Sequence, residues 1–254
     1  MSDSGPHSFA FSVLRFLRHV PGAHALARLF YVYKHPSLET ELFGLKFRNP
    51  IGVASGLDRK GEYYNDLAIF GPGYVEIGPA RNTSRIVRNL MNCPPRDIVS
   101  VIVLGGLHSD SYGPELEKDF ALVYDFADVV ALALPLVGYE EIIDRAMTVR
   151  RYNEAYRPIM VKISEQMPAS DIEEVVRYSL LAGVDAIETS ELHLDAVLSI
   201  ARDIVPVVAE ADVSSLPHAA ALLSKGVSLI SLSTGLVKNG PSFVKHILKS
   251  LTVK

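Results

Sequence analysis

The chain carries a single cysteine, Cys93, among 254 residues. That excludes an intramolecular disulfide and any metal site built on several cysteines, and it fits a reducing compartment. A basic surplus is also missing: 25 Lys and Arg face 29 Asp and Glu, for a formal net charge of -4. A dedicated nucleic-acid binder normally carries excess positive charge, so no nucleic-acid partner is expected. No apolar run reaches the roughly 18–20 residues of a spanning helix. The longest candidate, Val129–Gly138, reads as a buried strand and its exit loop. Near the N-terminus, Arg15, Arg18 and His19 interrupt the apolar stretch that a signal peptide needs. The expectation is a cytoplasmic location, with peripheral contact on the inner face of a membrane as the alternative.

What is present is an ordinary globular composition, 48% hydrophobic and 21% charged, which is enough to build a sizeable core. From residue 49 onward, short apolar runs alternate with longer helix-patterned segments. The runs are Pro50–Ser55, Tyr74–Gly78, Ser100–Gly105, Asp128–Pro135, Pro158–Ser164, Ala186–Ser190, Val205–Ala211 and Leu229–Thr234. Their starts lie 19–30 residues apart, about one βα unit each. They are continuous rather than alternating, as strands buried on both faces are. Eight such units predict a (β/α)8 TIM barrel; a doubly wound sheet is the alternative. Helix punctuation agrees. Ser170-Asp171-Ile172-Glu173 reads as a capping box, with Gly183 as the stop. Pro217 comes early and Gly226 late in the next helix.

Residues 1–38 stand outside this repeat, and the barrel is expected over 39–254. Residues 8–32 read as two helices broken at Pro21-Gly22, an N-terminal helical pair. Residues 8–34 hold Arg15, Arg18, Arg28 and Lys34 and no acid. That pattern suits a membrane surface; packing of both helices on the barrel is the favoured alternative. LETELFGLKFRNP then reads as a hairpin turning near Gly44, placed to plug the bottom of the barrel.

A barrel keeps its chemistry at the C-terminal ends of its strands. The first end, from Ala54 to Glu62, is a small-residue turn with Arg59 and Lys60 as candidate cations. The third brings His108, a candidate acid or base with surface placement as its alternative. The fifth carries Lys162 inside an apolar strand. A buried lysine is costly unless it is paired or faces a ligand. Lys162 is therefore the best single functional candidate, and an internal ion pair with Glu76, Glu188 or Glu210 is its alternative. Acids crowd the other ends, but with no histidine among them a metal site is not expected. Cys93 is more simply an inert thiol than a reactive one.

The segment RNPIGVASGLDRKGEYYNDLAIFGPGYVEIGPA closely resembles the first two βα units of the quinone-dependent, membrane-associated (class 2) dihydroorotate dehydrogenases. The preceding helices and hairpin are similar to that class. So are RPIMVKIS and KGVSLISLSTGLVKNGPSFVKHI. The resemblance is clear over residues 40–80, weaker over 155–250 and faint between. It implies an FMN-bearing TIM-barrel oxidoreductase of pyrimidine biosynthesis that oxidises dihydroorotate to orotate with quinone. Its cofactor set would fall on Ala54, Ser55, Gly56, Gly78, Lys162, Thr189, Thr234 and Gly235, with Arg59 and Ser190 on the substrate side.

Several positions depart from the family pattern. Its fourth strand ends in an Asn-x-Ser-Ser-Pro-Asn type motif that supplies the base; here the stretch is Ala131-Leu132-Ala133-Leu134-Pro135-Leu136. Leucine cannot take a proton. The sixth-strand asparagine falls on Ser190, and the seventh-strand Gly-Gly pair falls on Ala211-Asp212. No catalytic residue is thus assigned. The departures predict weak or absent FMN binding and no enzyme-like oxidation of dihydroorotate. Two functions stay open: a flavin oxidoreductase with altered chemistry, and a degenerate barrel kept as a binding, regulatory or structural protein whose protein partner is unassigned.

Overall fold

A computed structural model describes residues 22–80, 82–93, 98–106, 116–213, 215–233 and 235–252. The first helix of the expected N-terminal pair lies outside them. The second is α1 (Ala23–Tyr31). It leans on the barrel through Tyr31, whose ring meets Phe70 edge-on at 5.8 Å. Leu26, Leu29 and Phe30 of α1 face outward. The hairpin follows as β1 (Thr40–Leu42) and β2 (Leu45–Phe47), and Phe43 and Gly44 make its turn with positive φ.

The repeat then runs β3 (Ile51–Asp58), α2 (Tyr64–Leu67), β4 (Tyr74–Ala80), α3 (Thr83–Met91), β5 (Val99–Gly105) and α4 (Leu116–Tyr124). It continues with β6 (Val129–Ala133), α5 (Tyr139–Tyr152), β7 (Ile159–Ile163), α6 (Ile172–Ala182), β8 (Ala186–Ser190) and α7 (Leu194–Ala201). The last elements are β9 (Val207–Ala211), α8 (Leu216–Ser224), β10 (Leu229–Leu232), α9 (Gly235–Asn239) and α10 (Phe243–Thr252). β3 through β10 pair in parallel with their chain neighbours, and β10 returns to β3, closing the barrel. All eight expected strand runs are therefore strands of one TIM barrel.

The boundaries differ in one instructive place. α6 stops at Gly183, with φ 85, as expected. Its N-cap, however, is Asp171 rather than Ser170, and no side chain caps the helix. Ser170 Oγ instead donates to Asp171 Oδ1 at 2.7 Å, so the hydroxyl is spent on its neighbour.

Two apolar layers hold the fold. The larger lies between strands and helices and includes Ile51, Val75, Ile102, Val130, Val161, Ile187 and Ile230. The smaller fills the barrel's N-terminal end with Phe47, Tyr74, Val99, Val101, Val129, Met160, Val208 and Leu229. Phe47 comes from β2, so the hairpin does plug the barrel, and it meets Tyr74 edge-on at 5.9 Å. Gly52 makes room for that ring: a Cβ there would fall 2.1 Å from the Tyr74 side chain. Above this floor the interior of the barrel turns polar.

Candidate functional site: a lysine and three carboxylates under an open cavity

Inward-facing positions on a strand recur every second residue. On β4 they run from Tyr74 to Glu76, on β7 from Met160 to Lys162, and on β8 from Ala186 to Glu188. Parallel register places Lys162 opposite Glu188. Barrel closure brings β4 and β9 within reach of the same point. Lys162 Nζ lies 2.7 Å from Glu76 Oε2, 2.8 Å from Glu188 Oε1 and 3.1 Å from Glu210 Oε2. The ion-pair reading of Lys162 holds, with all three candidate acids at once.

Glu76 is the best satisfied of the three. Its Oε2 also accepts the backbone N–H of Ser55 at 3.0 Å, and its Oε1 accepts Ser231 Oγ at 2.5 Å. Because the Ser231 hydroxyl donates to Glu76, its oxygen is left to accept the Tyr74 hydroxyl at 2.8 Å. Glu188 is as deeply buried but has no aligned hydrogen bond to either oxygen. Glu210, at 36% side-chain exposure, is the member that reaches the cavity above.

These surroundings split the two buried acids. Burial would raise Glu76, but the charge and hydrogen bond of Lys162, helped by Ser231, outweigh it and hold the carboxyl below its usual range. Burial and then the Glu76 charge push Glu188 well above that range. Burial works against the Lys162 ammonium, but Glu188, Glu76 and Glu210 together push it well above an ordinary lysine. Lys162 is therefore a locked cation, not a nucleophile.

Over the cluster sits a cavity of about 860 Å³ at the C-terminal ends of the strands. Of the positions implied by resemblance, Ser55, Arg59, Lys162 and Ser190 line it. Ala54 is buried, and Gly56 and Gly78 have positive φ, but none of the three lines the cavity. Thr189 is buried away from it, with a hydroxyl that has no hydrogen-bond partner. Gly235 opens α9. Thr234 and His108 lie outside the described residues. The β6 end contributes Ala133 and Leu134, neither able to move a proton. The rim acids are engaged: Glu191 with His218 at 2.8 Å and Asp212 with Lys238 at 2.6 Å. Among the described residues no His, Cys, Asp and Glu group is arranged to hold a metal ion.

Two contributors were not singled out from sequence. Ser231 sits in phase with the inward positions of β10, and that period was its only signal. Asp58, at the end of β3, is buried and accepts the backbone N–H groups of Glu62 and Tyr63, both at 2.9 Å. It thereby pins residues 60–63 of the first loop to the end of β3. With the longer Lys60 N–H contact at 3.4 Å, these backbone donors still do not fully offset its burial, and its carboxyl stays raised.

No protein-family model matches the chain. Curated relatives do. A dihydroorotate dehydrogenase (quinone) of Christiangramia forsetii is 24% identical over 320 aligned positions, covering 98% of this chain and 94% of that protein. The Coxiella burnetii protein of the same name is 24% identical and covers 91% of this chain and 92% of its own length. The first alignment is longer than this 254-residue chain, so at least 66 of its positions face gaps here. Among solved structures, the Eimeria tenella dihydroorotate dehydrogenase in complex with ferulenol superposes with a TM-score of 0.74 at 15% identity, covering 90% of this chain and 88% of that one. Its ligand-free form gives 0.72 at 16% identity. Likeness to curated proteins named dihydroorotate dehydrogenase (quinone) thus runs at about 24% identity through nearly the whole sequence, with gaps that leave this chain the shorter, and the barrel fold is shared with solved dihydroorotate dehydrogenases.

Proposed function

We propose that this protein is a dihydroorotate dehydrogenase-like barrel converted to binding a small polar ligand, without turnover of dihydroorotate. One observation carries the reading: the cavity's only buried cation, among the described residues, is neutralised by three carboxylates. The β6 end, where the resemblance calls for the base, offers only Ala133 and Leu134.

The described residues do not fit FMN. A flavin phosphate needs backbone donors or cations at the ends of the last two strands. There the cavity presents Glu210 and Asp212 from the β9 end and, among the described residues, only Ser233 from the β10 end. Lys162 and Lys238 are already spent on the two acids, so a phosphate beside them meets like charge without a free cation from this pair. Lys162 cannot turn upward without abandoning Glu76 and Glu188. No step is therefore routed through a flavin. The polar lining that remains, Ser55, Ser164, Gln166, Ser190 and Ser233, suits a ligand rich in hydrogen-bonding groups.

The relatives support the competing reading, a flavin-dependent oxidation of dihydroorotate with quinone as acceptor. Assaying purified protein for orotate formation with FMN and a quinone separates the two. The proposal expects no orotate above the protein-free rate, and robust turnover would overturn it. The outward Leu26, Leu29 and Phe30 of α1, beside Arg28, further support peripheral contact with a lipid surface. Co-sedimentation with anionic vesicles that is lost in Leu29→Glu is the expected result. Among the described residues no helix is long and apolar enough to cross a membrane.

A further inference from the structure

The barrel interior holds more carboxylates than its cation can balance. Glu76 and Glu188 are fully buried, Glu210 is partly exposed, and Lys162 is the shared ammonium. The groups facing Glu188 are Tyr74 and Glu76 from β4, Lys162 from β7 and Glu210 from β9. Among the described residues Lys162 is its only cationic contact. Lys162 Nζ gives its aligned hydrogen bond to Glu76, which adds Ser231 and the Ser55 N–H. Neither oxygen of Glu188 has an aligned donor. A second buried carboxylate in that position would be uncompensated, and burying such a charge costs more than keeping the group neutral.

We infer that the Glu76–Glu188 pair holds one proton at neutral pH, centred on Glu188, and that the barrel is weakened when this proton leaves. Two carboxyls beside one ammonium cannot both ionise freely, so the pair titrates as a unit. Glu188 and Glu76 share the Lys162 ammonium, at 2.8 and 2.7 Å, and as a neutral acid Glu188 no longer repels the Glu76 carboxylate. Glu210 touches the same Lys162 and lines the cavity, so the charge state of the pair is felt at the ligand side.

The direction of the pH effect follows from which state binds the proton more tightly. The folded chain keeps the Glu188 proton at pH values where the unfolded chain has lost it. The stability it contributes is complete in acid and is lost as pH rises from the ordinary carboxylate range towards the raised folded value. Glu188→Gln mimics the protonated side chain and removes this dependence.

The test is urea unfolding of the full chain and of Glu188→Gln from about pH 5 to about pH 9. The inference expects the wild-type midpoint to fall relative to the variant as pH rises. Curves that stay parallel overturn it. An independent readout on the wild type guards against a variant that does not fold. Infrared spectra at neutral pH should show a protonated-carboxyl C=O band that shifts on carbon-13 labelling of glutamate. Absence of that band also overturns the inference.

Discussion

The two ends of the barrel are built on opposite principles. The N-terminal floor is apolar and closed, with Phe47 from the hairpin pressed on Tyr74 and the layer of valines around it. One strand repeat higher, Glu76, Lys162, Glu188 and Glu210 replace that packing with charge, under a cavity that stays open. The floor gains from each side chain separately, and its strength scales with the area removed from water. The charged layer gains only as a set, because each member is a liability without the others. The floor is thus built for packing and the mouth for charge.

The largest break in this comparison should come from Lys162→Met. It leaves Glu76 and Glu188 buried without their cation, and removing one partner of a buried pair costs about 3–5 kcal/mol. Urea unfolding at neutral pH measures it, and loss of folding is the extreme form of the same outcome. At the other end, Phe47→Ala should cost about 3 kcal/mol, since the hairpin can settle partly into the space. A larger loss at the floor than at Lys162 would reverse the ranking of the two layers. Ser231→Ala leaves both Glu76 and Tyr74 short of a hydrogen bond, for about 2 kcal/mol. The smallest effect should come from Arg85→Ala. Its partner Glu62 lies 2.6 Å away, but the Arg85 side chain is 50% exposed, so the change stays below about 1 kcal/mol.

The floor and the fold were legible in the sequence because they are local. Runs such as VVALA and IMVKI declare buried strands by composition, and the turn at Phe43-Gly44 declares its hairpin. The ion-pair partners of Lys162 could be named as candidates, since a lysine inside an apolar run needs an acid. Which acid, and how many, could not be read. Glu76 lies 86 residues away in the chain, and only closure of the barrel brings it beneath Lys162. The same limit hid Ser231, 155 residues from Glu76. The capping box misled for the opposite reason: the Ser170 hydroxyl had a nearer acceptor in Asp171 than the helix backbone.

The proposal that ties these observations together is that the charged mouth of this barrel does not accept FMN. Incubating the purified full chain with excess FMN, desalting it and recording the visible absorbance tests this most directly. The account predicts a colourless protein with no retained flavin. One FMN retained per chain would contradict it.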